Sequence, residues 1–248
     1  MSGHSHYATI KRQKGLKDAA KGQIFSKLAK AIQIAVKAGG GGDPDANYKL
    51  RMAVDTARAA NMPKDNIERA ISRAASSSES YDEVSYEGFG PGGIGVIIDV
   101  ATDNRNRTSQ EIKNLFERGG GSLAGPGAVS FNFELKGLLT VKKEGNAEEL
   151  MLKLIDAGVE DMEEQDDAIE VYVQPDKLTE VRDKLSEMGL TILSFELVKK
   201  PKSLQQVGSS QEAQKIFAFL DTLESHDDVQ KVYTNIDIPE EILKQVAL

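Results

Sequence analysis

The chain of 248 residues is 40% hydrophobic and 28% charged, the proportions of a protein that buries cores rather than of a disordered or membrane-embedded one. It has no Cys, which removes disulfides, thiol nucleophiles and thiolate metal sites together, and its longest apolar run, Ile94–Val100, is interrupted by Gly95 and Asp99 and is far too short to span a bilayer, so a cytoplasmic protein is expected. The net charge of -8 disfavours a polyanion partner only on average: residues 1–75 hold 14 Lys and Arg against 6 Asp and Glu, while 76–248 hold 17 against 33.

Residues 1–20 read as a basic N-terminal arm without apolar periodicity. Residues 21–76 read as a helical bundle. From about Lys21 to Lys37, the residues Ile24, Phe25, Leu28, Ile32, Ala35 and Val36 recur at helical spacing, and Gly39–Gly42 end that helix. Asp43-Pro44 predicts the start of a second helix burying Leu50, Val54 and Ala57, and Pro63 the start of a third carrying Ile67 and Ile71. Three short amphipathic helices cover one another only as a bundle.

After the polar linker Ser76–Ser80 the period changes to alternating and β-branched. Strands are expected near Glu83–Glu87 and Ile94–Val100, joined by the turn Gly88–Gly93, which lacks the Gly-Lys-Ser/Thr ending of a phosphate loop. Thr108 with Glu111 predicts a capping box for a helix to Arg118, and Val129, Phe131 and Phe133 predict a strand whose aromatics pack in the core. Residues 136–200 then read strand, helix, strand, strand, helix, strand, the split order of a ferredoxin-like domain. The acidic run Glu160–Asp167 falls at its hairpin as a solvated turn. Past the linker Pro201–Ser210, a helix over Gln211–Glu224, a strand over Val229–Thr234 and a short helix over Pro239–Val246 supply what the unit before residue 136 lacks. The expected architecture is α+β: an N-terminal three-helix bundle plus two α/β sandwich domains, one spanning 81–135 and 205–248, the other ferredoxin-like and inserted at 136–200.

Four stretches resemble the YebC/PmpR family: Gly3-His4-Ser5 with Ile10-Lys11, Gly40–Arg51, Asn61–Ile71 and the 23 residues Tyr86–Thr108. His6 and Tyr7 stand where that family usually has Lys and Trp. The resemblance implies a helical bundle, a middle α+β domain and a ferredoxin-like insert, in proteins described both as transcriptional regulators and as translational activators.

The candidate nucleic-acid-binding residues are the cations of the arm and first helix, Lys11, Arg12, Lys14, Lys17, Lys21, Lys27 and Lys30, among which Asp18 is the only acid before residue 43. Such donors neutralise phosphates and release counterions. Arg105 and Arg107 lie between a strand end and a helix start, where two guanidinium groups and the helix terminus together favour an anion; the competing reading pairs them with Asp99 and Asp103. His4 and His6 lack the further ligands that a metal site needs, and no cofactor is expected. With three His, no Cys and no placeable triad or carboxylate pair, no enzyme is expected. The leading expectation is a DNA-binding transcriptional regulator. The same basic surface serves a translational activator that binds ribosomal RNA on the ribosome, and a protein-interaction scaffold is the reading from another class.

Overall fold

The structure, a computed structural model, describes residues 18–76, 81–165 and 167–246. Three helices open it: α1 (Asp18–Ala38), α2 (Tyr48–Ala59) and α3 (Lys64–Ser76). Their apolar stripes meet in one core made of Ile32, Ala35 and Val36 from the first, Leu50, Val54 and Ala57 from the second, and Ile67, Ala70 and Ala74 from the third. The second helix starts four residues later than Asp43-Pro44 predicts. Asn47 is its N-cap, accepting from the Leu50 N–H at 3.1 Å, while its Nδ2 donates to the carbonyls of Ala35 at 2.8 Å and Gly41 at 3.0 Å. One buried amide thus satisfies the end of α1 and the start of α2 together, which no aspartate can do, and Asp43 instead folds the preceding turn by accepting from the Asp45 N–H. Asn47→Ala is therefore expected to cost about 2 kcal/mol in urea unfolding, and Asn47→Asp no less, because a carboxylate would face two carbonyls.

Strands β1 (Asp82–Phe89), β2 (Gly95–Thr102), β3 (Ser122–Ala124) and β9 (Val229–Thr234) form the first sheet, all antiparallel and in the order β3-β1-β2-β9. Helices α4 (Arg105–Arg118) and α7 (Ser210–Glu224) cover one face, burying Val96, Ile98 and Val100 against Ile112, Phe116, Ile216 and Leu220. The second sheet, also antiparallel, is built from β4 (Phe133–Lys142), β5 (Asp161–Glu164), β6 (Ala168–Val173) and β7 (Ile192–Pro201) in the order β5-β6-β4-β7. Its helices α5 (Ala147–Asp156) and α6 (Leu178–Glu187) pack Leu150, Leu154, Val181 and Leu185 on Leu139, Val141 and Val171. A short parallel pair, β8 (Gln205–Gln206) with β10 (Ile236–Asp237), and α8 (Glu240–Val246) complete the chain. The molecule is thus α+β, with a three-helix region followed by two four-stranded antiparallel sheets and their helices. Among the described residues, no helix is long and apolar enough to cross a membrane.

Two further expectations are corrected. Thr108 does not cap α4: Asn104 does, accepting from the Arg107 N–H at 3.1 Å, and Thr108 lies buried inside the helix. Val129, Phe131 and Phe133 do not form a strand, since Ser130–Asn132 is a 3-10 turn and β4 begins only at Phe133. The cause is Glu87, whose carboxylate accepts from the N–H groups of Gly127, Val129 and Ser130 at 2.8–2.9 Å and so removes them from any ladder. Phe133 is in the core as expected, but Phe131 is 74% exposed.

Candidate nucleic-acid interface

The start of α4 and the turn from α7 into β9 are joined through one carboxylate. Asp228, buried at the mouth of β9, accepts from Lys30 Nζ at 2.8 Å through one oxygen, and from Arg107 Nη2 at 2.8 Å and Thr108 Oγ1 at 2.7 Å through the other. Burial pushes this carboxyl up, but the hydrogen bonds from Lys30, Thr108 and Arg107 more than reverse that and hold it far below the usual carboxylate range. Lys30 also donates to the carbonyls of Ala101 and Asp227, and Lys27 donates to the carbonyl of Glu224, so one face of α1 is fastened to the ends of β2 and α7. Arg107 additionally pairs with Asp103 at 2.9 Å, the local partner considered from sequence; Asp99 instead pairs with Lys199.

One member of each basic cluster picked from sequence, Lys30 on α1 and Arg107 at the start of α4, is therefore brought to Asp228. Their members differ in what remains open. The Lys30 side chain is 16% exposed and fully engaged, whereas Arg107 keeps 45% of its side chain in solvent. Arg105 is exposed and, among the described residues, has no carboxylate partner. Lys21 stands in the first turn of α1 with its side chain outside the described set, and Lys11, Arg12, Lys14 and Lys17 lie outside the described residues. Sequence reasoning passed over Lys49 and Arg69, which are exposed on α2 and α3 without a carboxylate partner among the described residues. It also missed Asp228, because an Asp-Asp pair before a strand carries no local signal of what it will face. Beside this junction runs an open cleft lined by Arg107, Glu111, Asn114 and Arg118, one face of α4, and by His226.

Glu111, His226 and Asp228 bring three potential ligand atoms within 4.8 Å of one another. They are satisfied without an ion. His226 Nδ1 accepts from the Asp228 N–H at 3.1 Å, which leaves Nε2 to face Glu111 at 3.0 Å, and both oxygens of Asp228 are already met by cations. Where Lys30 and Arg107 stand, a divalent cation would be repelled.

Comparison with known proteins agrees with the α+β fold. The family model described as TACO1/YebC protein N-terminal domain matches residues 5–77, and that described as TACO1/YebC second and third domain matches 81–236. The chain belongs to the TACO1/YebC family. A probable transcriptional regulatory protein of Dictyoglomus turgidum is 46% identical over the whole of both chains, and one from a Sulfurihydrogenibium species is 46% identical over 99% of each. Among solved structures, a conserved hypothetical protein of Aquifex aeolicus is 43% identical and superposes with a TM-score of 0.84, covering 91% of this chain and 94% of its own. This member of the family thus shares its sequence with relatives named as probable transcriptional regulatory proteins, and its fold with the Aquifex aeolicus protein.

Proposed function

We propose that the protein is a non-enzymatic regulator of gene expression that binds nucleic acid, with DNA as the target, through the basic arm, α1 and the start of α4. The observation that carries this reading is the convergence at Asp228: one internal carboxylate joins Lys30 of α1 to Arg107 at the start of α4, so that cations from distant parts of a chain that is acidic overall meet at one junction. Lys30 serves the seam rather than a phosphate. The contacts are assigned to Lys11, Arg12, Lys14, Lys17 and Lys21, to Arg105 and the open face of Arg107, and to Lys49 and Arg69; Lys27, like Lys30, is held in the seam, by the Glu224 carbonyl. The relatives' names support a transcriptional role.

In this reading the acidic second sheet, with 8 basic and 16 acidic residues over 137–200, turns away from phosphate and limits which partner fits. Its strand order supports assigning 136–200 as a ferredoxin-like insert, and the place of β9 beside β2 supports a discontinuous domain over 81–135 and 205–248.

The test is binding to duplex DNA between about 50 and 200 mM salt, with ribosome sedimentation at matched salt. Replacing Lys11, Arg12 and Lys14 together by Ala is expected to lower the log–log salt slope by about 2 to 3, since each lost phosphate contact removes about 0.9. An unchanged slope removes the arm from the interface. Co-sedimentation with ribosomes but no duplex binding makes ribosomal RNA the target, and binding to neither overturns the proposal.

A further inference from the structure

At the end of the first sheet opposite Asp228, three hydrogen bonds to one buried carboxylate hold the loop that carries an exposed aromatic ring. Glu87 anchors the loop ahead of Phe131 through the N–H groups of Gly127, Val129 and Ser130, with Gly127 at φ 90, a conformation that suits glycine. Behind the ring, Lys202 Nζ donates to the Phe131 carbonyl at 3.1 Å, and Asn132 Oδ1 accepts from both the N–H and the hydroxyl of Ser203. Asn132 Nδ2 and Asn235 Nδ2 donate to the Ser203 carbonyl, and Asn235 Oδ1 accepts from the Gly95 N–H, which ties the network to the start of β2. The same anchoring seats Val129 and Phe133 in the core beside Ile97 and Tyr233, and between them it holds in a fixed position a ring that is 74% exposed and gains little from burial.

We propose that Phe131 is a stacking platform for an unpaired nucleobase, forming a second contact on the nucleic acid. The inference rests on the nucleic-acid reading above and adds to it a preference for single-stranded segments. The local charge fits a polyanion: residues 125–132 contain no acid, Lys202 is exposed beside the loop, and Glu87 beneath it is buried and saturated. Exposed Ser203, held beside the loop by Asn132, keeps hydroxyl lone pairs that can accept from a base edge. Phe89, 41% exposed at the end of β1 and on the same sheet face as Glu87, extends the apolar surface near the loop. Gly95, where Val129 packs, is six residues along β2 from Ala101, whose carbonyl Lys30 holds in the seam with Arg107; at about 3.3 Å per residue these two ends of the strand stand roughly 20 Å apart, a span that one single strand of several nucleotides covers.

The sequence offers a direct probe, because the protein has no Trp: Phe131→Trp places a sole tryptophan at the platform. Adenylate single strands of about 12 nucleotides, as RNA and as DNA, and the corresponding duplexes are titrated into the full chain. The expected result is quenching of the introduced indole's emission by single strands and not by duplexes, with the RNA and DNA arms showing which sugar is preferred. Phe131→Ala and Phe131→Leu are both expected to weaken single-strand binding about 5- to 100-fold, without a change in thermal midpoint. Should the wild type bind single strands while Phe131→Ala binds equally and the emission of Phe131→Trp is not quenched, the platform is refuted and the basic face stands. Should Phe131→Leu retain wild-type affinity, the contact is apolar and not stacking, which also refutes it. Should the wild type bind no nucleic acid in any form, the basic-face reading falls and the platform with it.

Discussion

Asp228→Asn is expected to weaken the fold by about 3 kcal/mol and, at the same time, to tighten binding to phosphate. The first effect follows from breaking a buried ion pair on one side only: the amide retains one acceptor where the carboxylate met Lys30, Arg107 and Thr108, and its NH2 group opposes whichever donor it faces. The lower part of the range for such losses applies because Arg107 remains half in solvent and retains Asp103. The second effect has the opposite sign because the anion that neutralises two cations of the basic side is gone. A salt slope steeper by about 1, measured on duplex DNA with the folded variant, would mark the release of a phosphate-competent cation. A variant that is destabilised but binds with unchanged slope would make Asp228 purely structural. The pH dependence carries its own sign. Asp228 is held well below its unfolded value, so its stabilisation is complete above the ordinary aspartate range and is lost as the pH falls towards the folded value. The gap in urea stability between wild type and Asp228→Asn is therefore widest near neutrality and narrows steadily below about pH 4.

The elements that could be read from sequence are those whose stabilising partners lie nearby in the chain. Periodicity in α1, the alternation of β2 and the βαββαβ order of the second sheet follow from spacings within one or two turns or pleats, and they stand in the structure with small shifts of boundary. The errors arose where a distant side chain captured backbone groups. Asp43-Pro44 has the local chemistry of a helix start, yet Asn47 wins because the end of α1 lies beside it. Val129, Phe131 and Phe133 alternate like a strand, yet Glu87, 40 residues away, takes the donors. The candidate site divides in the same way. Its cations are visible as composition, but Asp228, which assembles two of them and neutralises part of their charge, is visible only in three dimensions. Engagement of the lysines by later carboxylates counts against a basic face, and at Lys30 that objection holds; Arg105, Lys49 and Arg69 are exposed cations without a carboxylate partner among the described residues.

Glu87→Ala is expected to be the most damaging single substitution outside the apolar cores, costing about 3 to 4 kcal/mol if the loss is global. Hydrogen bonds to an ionised acceptor are stronger than neutral ones, and here three converge on one carboxylate that is 9% exposed. Burial by itself raises this carboxyl, and the N–H groups of Gly127, Val129 and Ser130 bring it below the ordinary glutamate range, so the ionised form is the one the loop requires. Glu87→Gln separates charge from shape. Its single carbonyl serves the pair Val129 and Ser130, while its NH2 group confronts the Gly127 N–H, so an intermediate loss of about 2 kcal/mol is expected. Because the loop joins β3 to β4, the chain has the option of opening there locally while both sheets persist. Amide exchange decides between the two: faster exchange confined to Gly127, Val129 and Ser130 marks local opening, whereas faster exchange across β1 and β2 marks global destabilisation. In either case the Glu87 variants should release the Phe131 ring from its fixed position, and single-strand affinity should fall in Glu87→Ala even though residue 131 is unchanged. Undiminished affinity in a variant whose loop amides exchange freely would show that the ring needs no preorganisation, contrary to the purpose assigned to the buried carboxylate.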